Sequence, residues 1–414
     1  MKDSQLFGGG IPIGSSTLAL DAPVSFTSNG QEFLRAGSIK AYDASYAVAI
    51  AAAPQLRVFG NDAKTYGVIA DNSAPSPRYY YIGGSYIGVT TSMFAYGAAL
   101  NSLSSLSAVF CAPVKRCAVN GTAHLVVPYA NANTALQYTS NGSAFAAVGG
   151  TFTTLPIPKA VAFGNNSWLS LSAVNNIAGE QAYINNANPS GAWTVGTTGL
   201  AATMTSVNAL NYGTGVFVAV GTSATATAGK IATCAAVGGA WTDRTAASGV
   251  TFAAGEAILD GVFDGTAHVL VTSTGRILTS TDGINYVARG TALDISSNVP
   301  QSGAISWAQA VGVGSMELTT DGAGTVVLQQ GGTPNVRNIL AVSLDHGATW
   351  SAFQAYSGKA GNGTSRTISY ANGRWIENHS GNIQSLVDIG PSLITPDYIG
   401  QQSQQAAGQF VRIK

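Results

Sequence analysis

Charge is scarce in this chain. Its 414 residues include 19 Lys and Arg and 19 Asp and Glu, so 9% are charged and the formal net charge is zero. About 25% is usual for a soluble protein. A neutral chain without runs of like charge has no field to steer it to nucleic acid or anionic lipid, which excludes a nucleic-acid partner. Cysteine is also rare. Cys111, Cys117 and Cys234 are odd in number, and none has a His or Cys partner at zinc spacing. Buried thiols are the expectation, with a Cys111–Cys117 disulfide as the alternative. Long apolar runs are missing too. Tyr46–Pro54 spans roughly nine residues against the ~20 that cross a bilayer, so no membrane insertion is expected. Met1–Gly10 lacks the continuous apolar core of a secretory signal. No segment keeps a helical period beyond a turn or two, which leaves strands.

What the chain has is glycine, 50 residues of it, an apolar fraction of 46%, and repetition. Gly121-Thr122-Ala123-His124-Leu125-Val126-Val127 returns as Gly265-Thr266-Ala267-His268-Val269-Leu270-Val271. Looser copies, each a turn ending in Gly or Asn before an apolar run, begin at Gly84, Asn166, Gly213, Gly322 and Gly373. Seven copies at intervals of about 48 residues fall where β units stack radially or linearly.

Each copy continues into a further short strand and a tight turn with an aromatic residue beyond it. Thr27 to Phe33 (Asn29, Gly30, Phe33), Thr139 to Phe145 (Asn141, Gly142, Phe145) and Ser280 to Tyr286 (Asp282, Gly283, Tyr286) match position for position. Asn-Gly and Asp-Gly favour two-residue hairpins because both central residues need positive φ. Gly191-Ala192-Trp193 and Gly239-Ala240-Trp241 are shortened forms, and Ser343-Leu344-Asp345-His346-Gly347-Ala348-Thr349-Trp350 is the full one. That octet resembles the Asp box of sialidase-like β-propellers. The resemblance implies a structural role for Ser343, Asp345, Gly347 and Trp350, as a brace between the third and fourth strands of a blade.

The expected fold is therefore all-β: a closed β-propeller of four-stranded blades, seven in number, with a β-solenoid as the competing architecture. An eighth blade is the alternative if Ala41–Tyr66, with its turn at Asn61 and Asp62, is a degenerate copy. The strand at about residues 24–34 is expected to complete the last blade and close the ring, leaving no exposed edge. Residues 1–20 and 396–414 are read as terminal arms around a domain at 21–395.

Chemistry is less legible. A sialidase needs an arginine triad on a carboxylate, a Tyr nucleophile with a Glu partner, and an acid or base. This chain has eleven Arg and five Glu. Nothing in the spacing of Arg276, Arg337, Arg366 and Arg374 brings them together. His124 and His268 hold the same place in different repeats, so a structural role is expected for both. Asp260 and Asp264 lie in a Gly-rich stretch, and no calcium-binding pattern is present. No catalytic residue, cofactor or metal is expected.

Two terminal segments supply context. Phe33-Leu34-Arg35-Ala36-Gly37-Ser38, and Pro396 to Gly400 with Gln409 to Lys414, resemble segments of bacteriophage tail and tail-fibre proteins. The resemblance implies a non-enzymatic virion protein of tail, collar or fibre, folded in the host bacterial cytoplasm. Its partners would be other virion proteins through the arms, a further copy of itself, or a host-surface glycan. A glycan-cleaving hydrolase on the same scaffold is the alternative, and a bacterial surface propeller a third reading. Candidate ligand residues are Tyr79 and Tyr81, Asn186 and Asn188, and Gln330 and Arg337, all in aromatic or amide-rich segments suited to sugars.

Overall fold

The computed structural model of the chain describes residues 25–28, 31–35, 63–71, 78–85, 92–97, 104–106, 117–120, 125–128, 136–140, 145–149, 158–172, 180–200, 203–223, 228–289, 316–330, 339–352, 365–371, 373–380, 385–390 and 410–412. Every regular element among them is a β-strand.

The strands form successive antiparallel sheets in chain order. The first sheet holds Ala63–Asp71, Arg78–Ser85, Ser92–Gly97 and Ser104–Leu106. The second holds Ala118–Val119, Leu125–Pro128, Leu136–Thr139 and Ala146–Ala147. Pro158–Gly164, Ser167–Ser172, Glu180–Ile184 and Thr194–Thr197 make the third. Met204–Gly213, Val216–Ser223, Gly229–Cys234 and Thr242–Asp243 make the fourth. The fifth contains Ile258–Phe263, His268–Thr272, Ile277–Ser280 and Val287–Ala288, and the sixth Met316–Thr320, Val326–Gln330, Ile339–Ser343 and Ser351–Ala352. A seventh sheet has three strands, Ser365–Ala371, Arg374–Ser380 and Ser385–Gly390.

The core lies between sheets. In the fourth sheet, Phe217 and Ala219 pack with Leu169 and Leu171 of the third, while Val218 and Val220 pack with Ile258 and Leu270 of the fifth. In the fifth, Val269 and Val271 turn the other way, onto Met316, Leu318 and Val326 of the sixth. The strand period of two thus serves both neighbours. This is why the second strands read as unbroken apolar runs rather than as alternating ones. Outermost strands are short, and Ala146–Ala147, Thr242–Asp243 and Val287–Ala288 are exposed at every position. A two-residue edge offers little template for adding another chain.

The first strands of the first, third, fourth and fifth sheets carry a register shift. It falls between Thr65 and Gly67, Pro158 and Ala160, Val207 and Ala209, and Ile258 and Asp260. Such bulges twist the strand and re-aim a side chain. At one of them Asn208 Nδ2 donates to Ile258 O of the next sheet at 2.6 Å.

Three expectations are corrected. Ser25–Ser28 and Gln31–Arg35 pair with each other and with Phe410–Arg412 in a separate three-stranded sheet, not with the seventh sheet. The hairpin finds its nearest partner across its own short turn, and its outer strand takes a segment read from sequence as part of the C-terminal arm. Tyr66 does not close a turn of a degenerate eighth copy, because it lies inside Ala63–Asp71 at the bulge. Gly84 lies late in the second strand of its sheet instead of leading it, since the strand already begins at Arg78 with the Tyr79-Tyr80-Tyr81 run. The other six copies do precede second strands.

Candidate functional site

The polar side chains of the described residues gather at the seams between sheets and in the turns that face them. Four seams repeat one device, in which a side chain of one sheet bonds a group of the next. Gln181 Nε2 donates to Gly239 O at 3.3 Å, and Trp241 Nε1 donates to Gln181 Oε1 at 3.3 Å. Asn208 reaches Ile258 as described. Asp260, 1% exposed, accepts from Leu318 N at 2.9 Å through Oδ2 and from Gly261 N at 2.9 Å through Oδ1. Gln329 Oε1 accepts from Ile368 N at 2.9 Å. A buried amide or carboxylate is stable only when so paired.

The turns between third and fourth strands are braced internally. Ser280 Oγ donates to Asp282 Oδ1 at 2.9 Å and accepts from Gly283 N at 2.9 Å. Asp282 Oδ1 also accepts from Ile284 N and Asn285 N, both at 2.8 Å. Ser343 and Asp345 repeat this pattern with Gly347 N and Thr349 N, and Thr349 Oγ1 donates to Asp345 Oδ2 at 2.6 Å. Partial burial opposes ionisation of both carboxyls. Hydrogen bonds from Asn285, Ile284 and Ser280, and from Thr349 and Ser343, outweigh it and hold both below the usual carboxylate range. The glycine of each turn has positive φ and rests on the preceding sheet. Gly283 (φ 72°) sits against Val216 and Val218, and Gly347 (φ 77°) against Val269 and Thr279. Each turn is thus both a hairpin brace and a wedge in a seam.

Aromatic pairs mark the first hairpins. Phe163 and Trp168, Tyr212 and Phe217, Phe263 and His268, and Tyr370 and Trp375 are cross-strand partners with ring centroids 4.8–5.0 Å apart. His268 therefore fills an aromatic slot of the repeat. It is wholly buried, with Nδ1 2.8 Å from Asn211 Oδ1 and Nε2 3.2 Å from Thr214 Oγ1. Thr214 Oγ1 also lies 2.8 Å from Gly213 O, so that both ring nitrogens of His268 are held by groups of the fourth sheet. Burial pushes this imidazole down to about 4, against the opposing pull of the Gly213 carbonyl, Asp282 and Asp264. His268 is a neutral group at pH 7. His124, its counterpart, lies outside the described residues.

Asp264, at the head of the same hairpin, is fully buried. Its Oδ1 accepts from Thr266 N at 3.0 Å and Ala267 N at 2.7 Å, and Oδ2 stands 3.0 Å from Nδ1 of His346. His346 belongs to the wedge turn of the sixth sheet, in the left-handed region at φ 61°, with its ring against Gly324 and its side chain 42% exposed.

One ion pair is nearly buried. Glu256 takes Arg276 Nε at 2.9 Å on Oε1 and Arg276 Nη2 at 3.1 Å on Oε2, with Thr274 Oγ1 and Ala253 N completing the set. Arg276 also donates to Thr251 O at 2.9 Å and lies over the Phe252 ring. The cluster fastens the connection between the fourth and fifth sheets to the turn at residues 273–276. All donors in the carboxylate's reach are used in holding that loop.

The sequence-chosen ligand residues that are described lie in three different sheets. Asn186 and Asn188 are exposed in the turn between third and fourth strands of the third sheet, where their side chains cap Asn188 N at 2.9 Å and Ser190 N at 3.0 Å. Gln330 ends the second strand of the sixth sheet, paired with Met316, at the opposite end from such turns. Tyr79 and Tyr81 belong to Arg78–Ser85, which pairs with a strand of its own sheet on either side. Arg337, Asn29, Gly30, Asn141 and Gly142 lie outside the described residues. Among the described residues no group of three His, Cys, Asp or Glu could hold a metal ion, and no helix is long and apolar enough to cross a membrane. Cys117 and Cys234 are buried, and Cys234 Sγ donates to Ala236 O at 2.8 Å.

Sequence reasoning missed the seam residues Gln181, Asn208, Asn211 and Gln329. Their only signal is an amide within an otherwise apolar strand, and a strand pattern does not say which neighbour an amide will meet.

No protein-family model and no curated protein matches the chain. Solved structures do. YCF48 from Cyanidioschyzon merolae superposes with a TM-score of 0.50 at 12% identity, over 81% of this chain and 98% of that one. YCF48 bound to D1 peptide gives 0.49 at 12%, over 80% and 96%, and a chain of the mitotic checkpoint complex gives 0.47 at 10%, over 80% and 94%. These neighbours are β-propellers, and the chain has a propeller fold.

Proposed function

We propose that this chain is a seven-bladed, ring-closed propeller that serves as a non-enzymatic structural component of a bacteriophage virion. It would use one end of the ring for host-surface glycan or for a neighbouring virion protein. Ring closure is supported by the first strands, which follow one another around the fold and bring Ser365–Ala371 of the seventh sheet beside Ala63–Asp71 of the first.

The observation that carries the non-enzymatic reading is the use to which the chemical groups are put. Asp260, Asp264, Asp282 and Asp345 accept backbone amides, Glu256 holds Arg276, and His268 is buried and neutral. A general acid or base must reach a substrate proton, and these groups are engaged with backbone amides or side chains of the protein itself. The virion assignment rests on the terminal segments Phe33 to Ser38 and Gln409 to Lys414. The recognition end would be the one opposite the braced turns. There, connections range from the tight turn at 273–276 to the long link at 244–257, whereas the braced turns of the fifth and sixth sheets share one pattern. Loops that vary on a rigid scaffold are where binding resides.

A glycan array with the full chain, followed by product analysis of any glycan bound, tests the reading. Retention of intact glycan supports an adhesin, released product would establish the hydrolase, and no binding leaves assembly with virion proteins as the role. The virion assignment fails if the flanking genes encode no tail, portal or other particle proteins.

A further inference from the structure

Gly229-Lys230-Ile231-Ala232-Thr233-Cys234 of the fourth sheet and Gly275-Arg276-Ile277-Leu278-Thr279-Ser280 of the fifth share a cation three residues ahead of a threonine. The threonines hold equivalent places, because Thr233 pairs with Thr242 and Thr279 with Val287, each the first residue of a fourth strand. Two residues beyond these partners stand Arg244 and Arg289. Each donates Nε to the buried threonine of its own sheet, at 3.0 Å to Thr233 Oγ1 and at 2.6 Å to Thr279 Oγ1. Neighbouring copies lack the constellation. By the same register the third sheet has Glu180, Tyr183 and Gly196 at the three places, and the sixth has Ile339 and Val342 at the first two.

Antiparallel pairing puts all four cations at one end. Turns between second and third strands, and the exits from fourth strands, lie opposite the braced turns. Lys230 is the second residue of its strand, Arg276 is in the turn at 273–276, and Arg244 and Arg289 follow Asp243 and Ala288, the last residues of their fourth strands. Two carboxylates at this end are already engaged, since Asp243 Oδ2 takes Lys230 Nζ at 2.8 Å and Glu256 takes Arg276. Asp264 and Asp282 lie at the other end, in the turn of the first hairpin and in the braced turn. Arg244, half-buried, and Arg289, exposed, thus have only their threonine bonds among the described residues. In a chain that is 9% charged, two arginines without a carboxylate at equivalent places of successive sheets are a local exception.

We propose that this end of the fourth and fifth sheets is a binding edge for an acidic polysaccharide, with Arg244 and Arg289 each taking one carboxylate of the polymer on Nη1 and Nη2. The proposal names the ligand of the glycan reading given above and rests on it. A guanidinium anchored through Nε presents its two terminal amino groups as a planar fork that matches carboxylate oxygens. Anchoring on a buried hydroxyl also reduces the side-chain freedom lost on binding. Equivalent sites on successive copies suit a ligand that itself repeats an acid, whereas a lone carboxylate would use one of them. A protein partner would need an apolar centre. The exposed large apolar side chains among the described residues are Val287 and Leu344, and Leu344 stands in a braced turn at the other end. The link that leaves Arg244 crosses to the fifth sheet, where Tyr286 N donates to Ser248 O at 2.8 Å, and it exposes Ala246, Ala247 and Gly249, which are too small to obstruct a polymer.

Calorimetric titration of the full chain with polygalacturonate, alginate and hyaluronan, each beside its carboxyl-reduced neutral form, and with poly-glutamate, tests this. At least one of the polyuronates should bind at least about tenfold tighter than its reduced form and than poly-glutamate. Arg244→Gln and Arg289→Gln should each weaken that binding about tenfold, and together by about thirtyfold or more. Arg289→Lys keeps the charge without the fork and should still lose at least about threefold. Equal binding of acidic and reduced forms, undiminished binding by the double variant, or binding of array glycans but of none of these polymers would overturn the proposal and leave the glycan reading standing. Poly-glutamate bound as tightly as any polyuronate would overturn it in favour of an acidic protein surface. Failure to bind any glycan, on the array or in solution, overturns both. If a variant does not fold, the acidic and reduced polymers on the unaltered chain still decide.

Discussion

Nδ1 of His346 lies 3.0 Å from Oδ2 of Asp264, so that a half-exposed turn of the sixth sheet is fastened to a fully buried carboxylate of the fifth. Removing either partner has different consequences. Asp264→Ala leaves the Thr266 and Ala267 amides without their acceptor as well as His346, and should cost about 3 kcal/mol. His346→Ala leaves Asp264 with two amides and should cost about 1 kcal/mol. In urea unfolding, a double-mutant cycle between the two should show a coupling of about 1 kcal/mol. Strict additivity would mean that the His346–Asp264 contact contributes nothing to holding the two sheets, leaving apolar packing and the Asp260 bond to Leu318 N.

The aromatic residue under each braced turn offers a test of polar satisfaction. Trp193 Nε1 donates to Pro189 O at 2.9 Å, Trp241 Nε1 to Gln181, and Trp350 Nε1 to Gly347 O at 3.0 Å. Tyr286 holds the same place, yet its hydroxyl is buried with no partner. Burial first, and Asp282 second, push its phenol above the ordinary tyrosine value. Tyr286→Phe should therefore be neutral or raise stability by up to about 1 kcal/mol, whereas Trp350→Phe should lower it by about 1–2 kcal/mol. A loss in Tyr286→Phe comparable to that of Trp350→Phe would show that the hydroxyl is bonded in solution.

These two cases show where sequence reading succeeds and where it stops. The Asp282-Gly283 and Asp345 to Gly347 turns are legible because an aspartate that caps its own backbone and a glycine at positive φ are local demands. Asp282-Gly283 is nevertheless not the expected two-residue hairpin: Asp282 is not at positive φ, and the strands end at Ser280 and resume at Val287. Strand segments are legible because a β repeat recurs with its turns. The partner of Asp264 is not, since His346 comes from the next repeat and lateral contacts between copies leave no periodic trace. Gly84 illustrates the same limit: a glycine before an apolar run reads as a turn, but here it falls inside a strand that begins with three tyrosines. The hairpin at Ser25–Arg35 carries the turn signature of a blade, yet the strand it pairs with, Phe410–Arg412, has no pattern that announces it.

The braced turns should also set an acid limit separate from that of His268. Asp282, Asp345 and Glu256 are held below their ordinary values by hydrogen bonds, and for Glu256 also by Arg276, despite the burial that opposes this. A carboxyl lowered by folding contributes stability that is present above the ordinary carboxylate value and is lost as pH falls below it. The thermal midpoint should then decline in two stages, one between about 6.5 and 4 from His268 and one below about 4 from the carboxylates. Asp282→Asn and Asp345→Asn should each lower the midpoint at pH 7 by about 2–4 °C and together flatten the lower stage only. Flattening of the upper stage by these substitutions would assign it to the wrong groups.

A last prediction separates two reasons for glycine. A Cβ at Gly213 would fall within the Phe263 ring of the next sheet, and one at Gly164 within the Tyr212 ring. Neither needs positive φ, so the demand is for space: the first strands of the third and fourth sheets each end in a notch that receives the aromatic of the following copy. Gly199, by contrast, has φ +74° with nothing within 4 Å of an added Cβ. Gly199→Ala should cost about 1 kcal/mol from backbone strain. Gly213→Ala should cost about 3 kcal/mol, because a packed ring cannot yield without shifting a seam. Shrinking the ring should return part of that loss, so Gly213→Ala combined with Phe263→Leu should be more stable than the sum of the single changes by at least about 1 kcal/mol. If the double variant is merely additive, Phe263 does not occupy the notch, and the seam between the fourth and fifth sheets depends on other contacts.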